Sequence, residues 1–348
     1  MNDSALTGSA PSTPRMSYQE RWRANLIARH HIDLTVVSER AALDEWMATL
    51  EAIHADFTRK GDDDKMVADR KFQSALDNGK EYQPEQALGE MLFFDWLRHN
   101  GFEAIPTNGQ ANGVGPDFQA MKNGIKVWFE VVTPQPDGAG VIAADFADTW
   151  SRLFPTIEKN DALRTELLFR VTGQITKKRD AFARYRDLKI VSPDDPCVIV
   201  VNDALLCPQD GAFGVTHGAE SAADSMWPLI VHAVLAGGYR YSKRVAGEEN
   251  LWHRGEPTDS LPKANGEPIM LNDFQNGTAR HISAIMQLTL REEYAVGCHL
   301  ARLSREKNMP LPIPLRKPDW AINPQAVNPL PTDKLGIIAS SAPAAQSR

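Results

Sequence analysis

Apolar positions recur at three-and-four spacing early in the chain and gather into short runs later, so helices are read first and strands afterwards. SYQERWRANLIARHH and SERAALDEWMATLEAIHADFTRK read as amphipathic helices, the second with Ser38 as its N-cap. GDDDK, Gly61 to Lys65, is a charged break. PEQALGEMLFFDWLRHNG reads as a helix with Pro84 at its start and Gly101 as its stop. Its apolar residues surround the axis, which predicts burial on more than one side. FEAIP is a candidate strand, and TNGQANGVG a loop. PDFQA and IKVWFEVV then form a hairpin around the turn Lys122-Asn123-Gly124.

After Pro134 the pattern is loop-like up to a long helix over about 161–188, followed by the strand CVIVVN, Cys197 to Asn202. SMWPLIVHAVLAGG is ambiguous between helix and strand because Pro228 interrupts it, and HISAIMQLTL reads as a late strand. Residues 1–16 are rich in Ser, Thr, Ala and Pro and read as disordered. From Met309 the prolines at 310, 312, 314 and 318 predict an extended, mobile tail over 309–348. The division is therefore a helical segment over 17–80 and an α/β domain over 81–308.

Composition changes this picture little. The 348 residues are 42% hydrophobic and 24% charged, enough for a real core. No run of about 18 apolar residues predicts a membrane span, and MNDSALTGSAPSTPR lacks the apolar centre of a secretory signal. Cys197, Cys207 and Cys298 lie far apart and unpaired in spacing, which suits a reducing, cytoplasmic setting and argues against a disulfide framework or a zinc site. A net charge of -7 argues against wholesale coating of nucleic acid but permits a local basic groove. Between Arg164 and Lys189, eight basic residues face three acids, with Phe182 and Tyr185 interleaved, a stripe suited to a phosphate backbone or to solubility. GxSxG, HExxH and a Walker lysine are absent, so serine-hydrolase, zinc-protease and P-loop chemistry fall away.

Two acids stand out. Alternation along IKVWFEVV puts Lys126, Trp128, Glu130 and Val132 on one face and Ile125, Val127, Phe129 and Val131 on the other. Glu130 therefore lies between apolar neighbours, where a carboxylate costs several kcal/mol unless something offsets its charge. Asp117 enters the neighbouring strand behind Pro116, which fixes the backbone before it. Antiparallel pairing through Asn123-Gly124 brings the two carboxylates together, as a hard-oxygen pair suited to magnesium. The bland alternative is a turn cap at Asp117 and a wet edge at Glu130.

Pro116-Asp117, twelve intervening residues and Glu130 on an apolar strand resemble the PD-(D/E)XK nuclease superfamily. Pro-Asp occurs four times, at 116, 136, 193 and 318, and only the first is followed at that distance by such an acid. The resemblance covers about Pro84 to Asn202. It implies an α/β fold with a restriction-endonuclease-like mixed sheet flanked by helices, here with an N-terminal helical segment. It also implies a magnesium site, with manganese as a substitute, formed by Asp117, Glu130 and the Val131 carbonyl. Glu90 on the preceding helix is the implied helper, Asp95 a second candidate, and Glu85 a helix-dipole partner instead. The implied substrate is nucleic acid, DNA ahead of RNA.

One departure matters: the superfamily's strand lysine should stand at Val132. Some members carry that lysine on a neighbouring helix, and in RVTGQITKKRDAFARYR the residues Arg170, Gln174, Lys177, Lys178 and Ala181 share one side. Lys178 is the candidate replacement, with Lys177 and Lys126 behind it. Arg170, Gln174 and Lys177 are candidate phosphate contacts. A fold of this kind that no longer cleaves, serving as a binding or assembly module, is the competing expectation, and Val132 is the residue that favours it.

Overall fold

The structure, a computed structural model, describes residues 16–58, 70–78, 80–107, 114–136, 157–206, 228–235, 240–243, 251–254, 259–262, 266–308 and 317–338. The N-terminal tail up to 15, the Gly61–Lys65 break, Gly109, Gly113, Cys207 and the prolines at 310, 312 and 314 lie outside these residues.

Four helices come first: α1 (Tyr18–His30), α2 (Val37–Phe57), α3 (Arg70–Leu76) and α4 (Gln83–His99). Ser17 caps α1 in a capping box with Glu20. Ser38 does not cap α2: the N-cap is Val36, whose side chain makes no cap bond, and Ser38 falls inside the first turn. Three strands follow, β1 (Glu103–Pro106), β2 (Phe118–Lys122) and β3 (Ile125–Val132). Asn123 and Gly124 both take positive φ, 51° and 74°, which makes the tight two-residue turn whose twist matches an antiparallel hairpin.

The long helix α5 (Ile157–Asp187) then crosses over to β4 (Cys197–Asn202), which lies parallel to β3. The ambiguous run becomes a helix, α6 (Leu229–Leu235), starting directly after Pro228. Two short hairpins follow, β5 (Arg240–Lys243) with β6 (Leu251–Arg254), and β7 (Ser260–Pro262) with β8 (Pro268–Met270). Next come β9 (Ala284–Leu288), α7 (Glu293–Glu306), β10 (Asp319–Ile322) and α8 (Thr332–Leu335). The six-stranded mixed sheet runs β1-β2-β3-β4-β9-β10, with β3, β4 and β9 parallel and the rest antiparallel. The chain is thus α/β, with helices on both faces of the sheet.

Both faces of the centre are covered, which is why CVIVVN is buried at every position and its first five residues are apolar rather than alternating. On one face Val127, Phe129 and Val131 pack with Phe93, Phe94 and Leu97 of α4 and reach Trp22, Leu26, Leu43 and Leu50 of α1 and α2. On the other, Trp128 and Val132 pack with Leu168, Val171, Ile175 and Phe182 of α5 and with Ile230 and Val234 of α6.

Two expectations about organisation are corrected. The segment 17–80 is not separated from the α/β domain, because α1 and α2 share one apolar core with β3 and β4. Nor is the chain a free tail from 309 onward. Residues 319–322 form β10, paired antiparallel to β9, and Trp320, Ala321, Leu330 and Leu335 are buried. The prolines misled because they flank this strand instead of interrupting its ladder, and an edge strand tolerates them there.

Candidate active site

The register that pairs Phe118 with Phe129 sets Asp117 across from Glu130 on the face covered by α5. The approach to Asp117 is fixed from β1: the Thr107 hydroxyl donates to the Pro116 carbonyl, and the Thr107 N–H donates to the Asp117 carbonyl at 2.9 Å. The two acids then hold each other through the backbone. The Val131 N–H donates to Asp117 Oδ2 at 2.7 Å, and the Asp117 N–H donates to Glu130 Oε2 at 3.1 Å. Asp117 is 7% exposed and Glu130 4%, so Glu130 does not sit at a wet edge, and the Asp117 carboxylate serves the neighbouring strand.

A cation comes from α5. Lys178 Nζ donates to Glu130 Oε1 at 2.7 Å, and the Tyr185 hydroxyl donates to the same oxygen at 3.4 Å. Burial, then the Asp117 charge, push the Glu130 carboxyl up to about 8, against the pull of Lys178. Burial works against the ammonium of Lys178, yet the Glu130 and Asp117 carboxylates beside it hold it above the ordinary lysine range. Burial and the Glu130 charge push the Tyr185 phenol up to about 12, so it remains a donor throughout the physiological range.

Burial and the Asp117 charge outweigh the Lys178 ammonium in disfavouring a charged Glu130. A proton resolves this imbalance, and so does a cation. The donor set fits magnesium, which is held by one or two carboxylates and completes its octahedron with water and phosphate oxygens. Among the described residues no group of three or more His, Cys, Asp or Glu side chains is disposed to hold a metal ion, so these two carboxylates would carry the protein's share. Val131 meets Asp117 through its N–H, which donates to the carboxylate.

The remaining candidates divide. Glu90 is half-buried on α4, and its charge acts on Lys178. It follows Gly89, where the helix comes so close to the end of β4 that a Cβ would stand 2.5 Å from Asn202 Nδ2. Asp95 is elsewhere, accepting from Tyr294 at 3.0 Å and paired with His99 at 3.1 Å. Lys126 is also elsewhere, 2.7 Å from Asp195 at the far end of β3, beside a surface groove lined by Gly124, Lys126, Asp195 and Asn328. Lys177 is exposed while its neighbour Lys178 turns inward, so it does not join the site. Gln174 and Arg170 stand one and two turns before Lys178, about 6 and 12 Å along the axis, and Arg170 is held by Glu166.

Part of the basic stripe on α5 is engaged within the protein, while Lys177, Arg184 and Lys189 are exposed. Lys178 and Arg179 are paired with Glu130 and Asp273, Arg186 donates to the Asp195 carbonyl, and Phe182 and Tyr185 are buried. Tyr185 is the site residue that sequence reasoning missed. The signal was its seven-residue spacing from Lys178, two turns along the same helix face.

A second buried charge group lies between α1, α4 and the start of α7. Arg29 contacts Glu292 at 2.5 Å and Glu293 at 3.1 Å, Arg291 contacts Glu293 at 3.1 Å, and Asn25 donates to Glu292 at 2.7 Å. Burial works against the charge on Glu292, but Arg29 holds its carboxyl below the ordinary range. Glu85 belongs to this neighbourhood, where burial raises its carboxyl and Arg21 and Arg29 oppose the rise.

No family model matches the chain, and neither a curated protein nor a solved structure matches it. No helix among the described residues is long and apolar enough to cross a membrane.

Proposed function

We propose that the chain is a divalent-metal-dependent nuclease that hydrolyses phosphodiester bonds, with a restriction-endonuclease-like fold and DNA favoured over RNA as substrate. The observation that carries this reading is the meeting of Asp117, Glu130 and Lys178, three residues from two strands and a helix, at one buried point. It supports the resemblance to the PD-(D/E)XK nucleases at the one position where the sequence departs from them, since a helix lysine stands beside Glu130.

Asp117 and Glu130 would hold magnesium, with manganese as a substitute, and Glu90 would add charge nearby. When bound, that ion supplies positive charge for the phosphate oxygens and a more acidic water. Lys178 is held as an ammonium by its acid neighbours, so its role is that of a donor rather than a base. Its N–H groups are directed to the attacking water and a non-bridging phosphate oxygen. The oxygen of that water would bond to phosphorus as the bond to the leaving oxygen breaks, its proton passing to bulk water and the leaving oxygen taking one from bulk water, and orientation supplies much of the rate. Gln174, one turn away, reaches the neighbouring phosphate.

A second reading, a nuclease-like fold that binds or assembles without cleaving, is favoured by Val132. It is buried in the apolar core and contributes nothing polar to the site. In that reading Lys178 and Glu130 form a structural ion pair.

Incubating the full chain with plasmid DNA and with single-stranded RNA, with and without magnesium, separates the two. The nuclease reading predicts magnesium-dependent cleavage that Glu130→Gln abolishes. Absence of cleavage on both substrates, with no magnesium binding by calorimetry, would leave the binding module.

A further inference from the structure

We infer that Tyr185 is a positioning residue that keeps Glu130 in place when Lys178 turns to the substrate, an inference that rests on the nuclease reading. The geometry that points to it is the sharing of one oxygen. Lys178 Nζ and the Tyr185 hydroxyl both donate to Glu130 Oε1, at 2.7 and 3.4 Å. The shorter contact belongs to the flexible side chain, the longer to the rigid one. Tyr185 is 6% exposed, and its ring is fixed edge-on against the fully buried Phe182, centroids 5.9 Å apart at 81°. The Arg184 guanidinium covers it at 5.9 Å from the centroid.

In this resting arrangement the ammonium of Lys178 occupies the oxygen that a cation would use. With a cation held at Glu130, Lys178 would be free to turn toward water and phosphate. Glu130 Oε1 then loses its closer donor, while its other oxygen stays with the Asp117 N–H at 3.1 Å. A hydroxyl already aligned at 3.4 Å would close on that oxygen beside the cation, since catalytic hydrogen bonds are often long before ligands bind and tighten afterwards. Tyr185 therefore acts through Glu130. Partners of this kind hold a metal-ligating carboxylate in one orientation, and their loss weakens metal binding about tenfold or more.

The test is calorimetric titration of magnesium into the full-length wild type, Tyr185→Phe and Tyr294→Phe. The first variant deletes the hydroxyl and keeps the ring. The second deletes a hydroxyl from another buried tyrosine-carboxylate pair, Tyr294 and Asp95 at 3.0 Å, outside the site. The inference predicts magnesium affinity weakened about tenfold in Tyr185→Phe and unchanged in Tyr294→Phe. Equal affinity in wild type and Tyr185→Phe overturns it, as does equal weakening in both variants, which would reduce Tyr185 to packing. If wild type itself binds no magnesium, the nuclease reading fails first and takes this inference with it. Should Tyr185→Phe melt early, magnesium titration of Phe182→Leu decides. That variant loosens the ring but keeps the hydroxyl, so a loss of affinity as large as that of Tyr185→Phe assigns the effect to packing and sinks the inference.

Discussion

Lys178 and Glu130 lie 48 residues apart in the chain and meet at 2.7 Å, Nζ to Oε1, beside a second carboxylate, Asp117, whose charge raises the Glu130 carboxyl. Burial and Asp117 thus outweigh Lys178 at Glu130, an imbalance built into the core.

That imbalance has a pH signature. Folding raises Glu130 to about 8 from the ordinary carboxylate value of 4.5. Between these values the native state keeps a proton that the unfolded chain has released, so the contribution is fully present below the lower value and lost as pH rises through the upper one. Urea unfolding of the cation-free chain should show stability falling across that window. Glu130→Gln should flatten the fall, and magnesium should offset it at the alkaline end. A wild-type profile identical to that of Glu130→Gln would count against the charge imbalance.

Gly89 sets how close α4 comes to the end of the sheet. A Cβ there would press on an Asn202 amide that donates to the Leu290 carbonyl at 3.0 Å, while its Oδ1 accepts from the Leu290 N–H at 2.8 Å. The amide cannot swing away without breaking those bonds. Gly89→Ala should cost about 1–3 kcal/mol, the usual range for overpacking, and denaturant titration measures it. An unchanged midpoint would mean the helix shifts freely.

Arg29 ties the N-terminal helices to the strand-end loop that leads into α7. Arg29→Met leaves the buried Glu292 without its arginine and takes from the buried Glu293 one of its two. The expected loss is about 3–5 kcal/mol, typical of stripping one member from a buried ion pair. Magnesium affinity should not change, because the acids involved are not those of the candidate site. Equilibrium unfolding and calorimetry on the same variant check both halves.

Much of the candidate site was legible because its signals are local. Strict alternation along β3 put Glu130 on the face of Trp128 and Val132, and a positive-φ Asn-Gly turn set the register that brings Asp117 across from it. Lys178 could be nominated because helix α5 was long and its inward side countable. Tyr185 was countable too, two turns from Lys178, but its place in a run of basic residues made it look like surface. What could not be read is tertiary. Nothing near Arg29 announces an acid 263 positions away, and nothing in a proline-rich stretch announces that Asp319–Ile322 will pair with β9. The helical segment looked separable because its own periodicity is complete, whereas its apolar faces are finished only by α4 and the sheet.

The most direct test of the central claim is single-turnover cleavage of plasmid DNA in magnesium by wild type, Asp117→Asn and Lys178→Met, each first shown to be folded by circular dichroism. The account predicts cleavage by wild type, none by Asp117→Asn, and a rate at least about 100-fold lower for Lys178→Met, the scale expected when one charged donor is removed from a transition state. Cleavage by Lys178→Met at the wild-type rate would contradict it, returning Lys178 to the status of a structural counter-ion.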